Sequence, residues 1–97
     1  MSKYVYEVIR ESCTQGGGFL SLSYDRRSMG IYEHKADAIS HKKIFADESL
    51  LNDDYMDIAQ KIYDDDRLTT FVAFKATNRV TPEMEMISYS VSGRWLN

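Results

Sequence analysis

The feature that most restricts this chain is an apolar alternation of period two near both of its ends. Residues 3–12 put Tyr4, Tyr6 and Val8 on one side and Val5 and Ile9 on the other, a pattern that an extended strand turns into two covered faces. Glu83 to Ser92 repeats it, with Ile87, Tyr89 and Val91 opposite Met86, Ser88 and Ser90. β-Branched and aromatic residues dominate both runs, as half-buried pleated surfaces require. A sheet is therefore the frame of the fold.

Between these runs the punctuation sets the order of elements. Cys13-Thr14-Gln15-Gly16-Gly17-Gly18 reads as a turn, because consecutive glycines reach positive φ at little steric cost. Phe19–Tyr24 follows as a second strand, hairpinned to the first. Asp25-Arg26-Arg27-Ser28 reads as a further turn and Met29–Glu33 as a short third strand. Ala36–Phe45 moves to helical spacing, with Ala36, Ile39 and Lys43 aligned, Ala38 in line with Phe45, and Lys42 and Lys43 in the last turn. Tyr55, Ile58, Ala59, Ile62 and Tyr63 fall at i, i+3, i+4, i+7 and i+8, the stripe of a second helix. Asn52 or Asp53 would cap it, and Leu51 would staple back on Tyr55 or Met56.

Arg67–Ala76 returns to strand chemistry, Asn78–Pro82 is a turn, and Gly93–Asn97 is a tail. The predicted order is β-β-(β)-α-α-β-β. It implies an α+β fold: a single antiparallel sheet of four to five strands with two helices packed on one face. With no repeat, linker or low-complexity stretch, residues 1–97 read as one domain.

Composition narrows the function classes. Apolar residues make up 43% of the chain, enough for a core and against disorder. Cys13 is the single cysteine, which excludes a disulfide scaffold and fits a reducing compartment. No apolar run would span a bilayer, and Glu7 and Arg10 interrupt any leader-like start, so a cytoplasmic protein is expected.

Catalytic and metal signatures are weak. Cys13, His34 and His41 lack the paired spacing of a zinc site, and Cys13 sits in no nucleophile motif. The aspartates lack the glycine-centred spacing of a calcium loop, and Asp53 and Asp57 alone would hold at most a hydrated magnesium. Gly16-Gly17-Gly18 runs into strand-like residues, not into the helix of a phosphate loop. Phe71-Val72-Ala73-Phe74 echoes part of an RNA-binding strand, yet Leu68-Thr69-Thr70 stands where the rest of that motif belongs. Alternating aromatics of a core strand explain it better. No catalytic residue, cofactor or metal is assigned, and the chain is read as a non-enzyme.

Charge is the positive lead. The formal net charge is only −3, but residues 44–66 carry eight acids against one base, and the rest has an excess of bases. Asp53 and Asp54 suit a helix N-terminus. Asp64-Asp65-Asp66 would end the same helix, where the dipole disfavours them. A solvated helix face and polar loop that keep a small protein soluble account for most charge runs, and that reading stands beside a functional one here.

The functional expectation is a non-catalytic protein-binding domain, an inhibitor or regulator. Asp54, Asp57, Asp64, Asp65 and Asp66 supply negative charge and Tyr63 an apolar contact, so that a helix-and-loop face mimics nucleic acid and occludes a partner's basic surface. A nucleic-acid-handling protein is the expected partner, without direct nucleic-acid or membrane binding, and a virus or mobile element the expected kind of source by analogy of size and charge. Trp95 and the sheet edges leave room for a homodimer. The alternative is a small-molecule or nucleotide-binding domain with an anion site at Gly16–Gly18 and Arg26/Arg27.

Overall fold

A computed structural model of the chain describes residues 2–16, 21–51, 55–75 and 83–96. Its order is β1 (Lys3–Gly16), β2 (Ser21–Tyr32), α1 (Lys35–Leu50), β3 (Tyr55–Asp64), β4 (Leu68–Lys75) and β5 (Glu83–Leu96). The strands form one five-stranded sheet, β2-β1-β5-β4-β3, in which every neighbouring pair is antiparallel. At about 3.3 Å per residue a 14-residue strand spans roughly 46 Å. That accounts for a molecule of 55 × 22 × 19 Å.

The α+β class and the antiparallel sheet stand, but with one helix among the described residues, not two. The segment expected to form the second helix is β3, the edge strand beside β4. Its register explains the misreading. Tyr55, Ile58, Lys61 and Asp64 oppose Lys75, Ala73, Phe71 and Thr69, with shifts at Tyr55/Asp57, Ile58/Gln60 and Lys61/Tyr63. Three residues of β3 thus match two of β4. Repeated bulging gives the strand a period of three, which in sequence passes for the i, i+3 spacing of a helix.

Three other boundaries also differ from expectation. Asp25–Ser28 is no turn but the middle of β2, with Arg27 opposite Arg10 and Arg26 opposite Glu11. Gly93–Leu96 is not a tail but the end of β5, paired with β1 through Tyr6–Lys3. Leu51, expected as a staple, is the exposed C-cap of α1. The expected caps at Asn52 and Asp53 and the turn at Asn78–Pro82 lie outside the described residues.

α1 packs on one face of the sheet. Its buried residues are Ala38, Lys42 and Ala46, four apart, whereas Ala36 and Lys43 of the expected stripe are exposed. Two alanines let the helix approach closely over Phe71, Ala73, Ile87 and Tyr89, flanked by Met29, Phe45 and Leu50. Ser49 Oγ meets Tyr89 Oη at 2.7 Å, and Arg10 Nε donates to that same oxygen at 3.2 Å. Arg10 also pairs with Glu85 at 3.3 Å, both side chains largely buried. Polar contacts thus fix the depth at which the helix sits. On the other face Glu7 holds Arg94 at 3.5 Å and accepts from Ser28 Oγ at 2.7 Å, alongside buried Val5 and Ile9. Among the described residues no helix is long and apolar enough to cross a membrane.

Candidate functional site: an acidic turn over a buried lysine

Asp64, Asp65 and Asp66 sit where β3 turns into β4, not at a helix end. Asp65 builds that turn. Its Oδ1 accepts the N–H of Arg67 at 2.7 Å and of Leu68 at 2.8 Å, and its own N–H donates to the Leu68 carbonyl at 2.8 Å. An aspartate whose side chain takes backbone N–H groups two and three residues on is a usual turn former. The Tyr63 hydroxyl donates to the other oxygen, Oδ2. These donors stabilise the ionised carboxyl and hold Asp65 below its ordinary value, Tyr63 first and the Leu68 and Arg67 amides after it. The same contact raises the Tyr63 hydroxyl. Asp64 Oδ1 accepts from Thr69 Oγ1 at 2.7 Å, across the first pair of the hairpin.

Beneath this turn lies Lys42. The side chain is wholly buried on the helix stripe, and its Nζ donates to the Asp65 carbonyl oxygen. Burial lowers its affinity for the proton, while Asp64, Asp65 and Asp66 pull the other way. Asp64 and Asp65 therefore have a role in folding that their sequence position did not reveal: they are the main counter-charges to a lysine 22 and 23 residues earlier in the chain. Among the described residues Asp66 makes no hydrogen bond or ion pair. It is exposed, as are Asp64, Asp65 and Tyr63, the last at 50%.

A recess of about 230 Å³ adjoins the turn, lined by Lys43, Ala46, Asp47, Leu50, Asp64 and Thr69. It brings Asp47, near the end of α1, beside Asp64. Asp47 was not expected at the site, because the helix was expected to stop at Phe45. The predicted face otherwise comes apart. Tyr63, Asp64, Asp65 and Asp66 stay together. Asp57 is paired by register with Phe74, seven residues along β3 from Asp64, roughly 20 Å at strand rise and not the ~10 Å of a helix. Asp54 lies outside the described residues.

Of the alternative anion site only Gly16 and the two arginines fall among the described residues. Arg26 and Arg27 are successive residues of one strand and face opposite sides of the sheet, and Arg27 is bound to Asp25 at 2.7 and 2.8 Å. Gly16 is the last residue of β1, and Gly17 and Gly18 are outside the described residues. Nor do the zinc-type residues converge. Cys13 alternates away from the helix side, while His41 stacks on Tyr32 at 4.6 Å with Nδ1 2.8 Å from the Asp37 carbonyl. Among the described residues no three His, Cys, Asp or Glu side chains are grouped to hold a metal. Phe71 and Ala73 are core, wholly buried, and no stacking platform.

Compared with models of protein families, with curated proteins and with solved structures, the chain matches none.

Proposed function

We propose that the chain is a non-catalytic binding protein that occludes a basic surface of a partner protein with its acidic β3–β4 turn. The observation that carries this reading is the exposed run Asp64-Asp65-Asp66 on a turn whose backbone is pinned from within by Asp65 and from below by Lys42. Charge held on an ordered turn need not be ordered again on binding, so electrostatic attraction appears in the affinity with less entropic loss. Asp47 widens the acidic surface, Tyr63 borders it, and the recess between Asp47 and Asp64 suits one lysine or arginine side chain of the partner. This charge imitates nucleic acid, so a nucleic-acid-handling protein in the cytoplasm is the partner class, and an inhibitor from a virus or mobile element is the analogous kind of protein.

The test separates the two duties of the aspartates. Asp66→Lys with Asp47→Lys reverses charge at the site while sparing Asp64 and Asp65, which the turn needs. Tagged wild-type chain should retain a basic protein at about 50 mM salt and release it near 500 mM, since exposed ion pairs are screened over that range. The double variant should keep its circular dichroism and melting midpoint and lose the partner. Undiminished capture by the folded double variant refutes the acidic-turn reading.

A further inference from the structure

The helix-side face carries a second concavity, at the end of the sheet where β1 begins and β5 finishes. Its volume is about 290 Å³, and Tyr4, Tyr6, Lys35, Arg67, Val91 and Gly93 line it. That lies at the low end of the roughly 300–1,000 Å³ of small-molecule sites. Tyr4 and Tyr6 alternate onto the same side of β1, opposite Trp95 and Gly93 of β5. Tyr4 meets Tyr6 edge-on at 5.4 Å and Trp95 edge-on at 5.0 Å, and Trp95 is 62% exposed. Gly93 makes room for this group: a Cβ there would lie 2.3 Å from the Tyr4 hydroxyl oxygen and 2.8 Å from its ring. The site is thus walled by exposed Tyr4, which is seated on a glycine and backed by Trp95, and by half-buried Tyr6.

Two cations complete it. Lys35 is the first residue of α1. Arg67 closes the β3–β4 turn, its N–H on Asp65 and its carbonyl accepting from the Val91 N–H at 2.9 Å. Lys3, Arg10, Arg27 and Arg94 are each paired with a carboxylate. Lys35 and Arg67 form no ion pair among the described residues. A guanidinium and an ammonium beside one cavity suit a phosphate, which takes a forked donor and a point charge together. The adjoining rings suit a planar ring system, by stacking and by edge contacts.

We propose that this cavity binds a nucleoside monophosphate, its phosphate held by Lys35 and Arg67 and its base laid against Tyr4 and Tyr6, beside Trp95. Two cations and this volume match one phosphate and one base. The site does not depend on the acidic-turn reading and stands if that reading fails.

Trp95 is the single tryptophan, so its fluorescence reports on the site directly. Titration of the full chain with AMP and with GMP at low salt should give saturable quenching, confirmed by calorimetry. Adenosine and inorganic phosphate should each bind at least about tenfold more weakly than AMP, because each offers half of the recognised chemistry. Lys35→Gln and Arg67→Gln should each weaken AMP binding about tenfold, the loss expected for a charge-assisted contact. Arg26→Gln, exposed and outside the cavity, should bind as wild type. Both cavity variants alter exposed side chains, and unchanged circular dichroism establishes that they fold. The proposal is overturned by the absence of saturable binding to either nucleotide, or by wild-type affinity in both cavity variants. Inorganic phosphate binding as tightly as AMP also overturns it, and so does tighter binding of a ten-nucleotide single strand, which would assign the rings to nucleic acid.

Discussion

Lys42 decides how far the aspartates belong to folding, and replacing it by methionine and by alanine measures this. Methionine keeps most of the buried stem and removes the ammonium; alanine removes the stem as well. Three heavy atoms distinguish the two variants, each worth about 0.8 kcal/mol when buried, so Lys42→Ala should be less stable than Lys42→Met by about 2–3 kcal/mol. Removing the ammonium leaves the Asp65 carbonyl without its donor, a loss of about 1–3 kcal/mol, offset in part by relief of the buried charge. The sign of that sum matters less than its coupling. Asp64→Asn should destabilise the wild type and cost measurably less in the Lys42→Met background, since its counter-charge is gone.

The pH dependence gives a second reading. Burial depresses the lysine in the folded state below its usual 10.5, so the unfolded chain binds more protons in the alkaline range just under that value. Stability therefore gains a contribution there as pH rises, and Lys42→Met abolishes it. Urea unfolding followed by circular dichroism, at neutral pH and at steps towards pH 10, measures both effects. Equal stability of the alanine and methionine variants, or an unchanged alkaline gain in Lys42→Met, would refute the placement of Lys42 beneath the turn.

Three more outcomes follow from the same geometry. Arg10→Met should cost about 3–5 kcal/mol by taking an ion-pair partner from the nearly buried Glu85, whereas Arg10→Met with Glu85→Met should cost far less than the sum of the single changes; a double-mutant cycle in urea measures this. Asp65 is held below its ordinary 3.8, so its stabilising contribution is present above that value and disappears as pH falls through the depressed one. Melting midpoints between about pH 5 and 2 should accordingly fall less steeply in Asp65→Asn than in wild type. Gly93→Ala should lose about 1 kcal/mol through contact with the Tyr4 ring, read as a lower melting midpoint, and the loss should vanish when Tyr4→Leu removes the ring.

How much of this was legible in the sequence depended on whether the decisive partner was near or far along the chain. β1 and β5 were legible because their period of two is a property of the strand itself, and Val8, Ile87 and Tyr89 are buried as that period implies. Asp25-Arg26-Arg27-Ser28 was not. Its polar residues resemble a turn, yet they pair with β1, where Glu11 lies opposite Arg26 and Arg10 opposite Arg27. Polar residues there suit β2 as an edge strand, which discourages sheet-to-sheet association. β3 failed for the opposite reason: its register against β4 manufactures a three-residue spacing that no local rule distinguishes from a helix.

The acidic turn shows where the sequence did hold an unread signal. Ala38, Lys42 and Ala46 stand four apart, and two small residues flanking a lysine on one helical stripe mark a face that approaches another layer closely with a cation on it. A buried ammonium requires oxygen ligands and negative charge nearby. The densest acidic run in the chain, Asp64-Asp65-Asp66, was the natural source of both. Read that way, a folding role for Asp64 and Asp65 follows from Lys42 alone. Asp66 is the residue it leaves over: exposed, without a hydrogen bond or ion pair among the described residues, and next to Arg67 at the nucleotide cavity. One turn thus separates a negative surface from a positive one. Charge reversal at Asp66 should therefore act on both proposed sites in opposite senses, weakening the basic partner and strengthening AMP. If Asp66→Lys weakened both alike, loss of turn structure would be the cause, not charge.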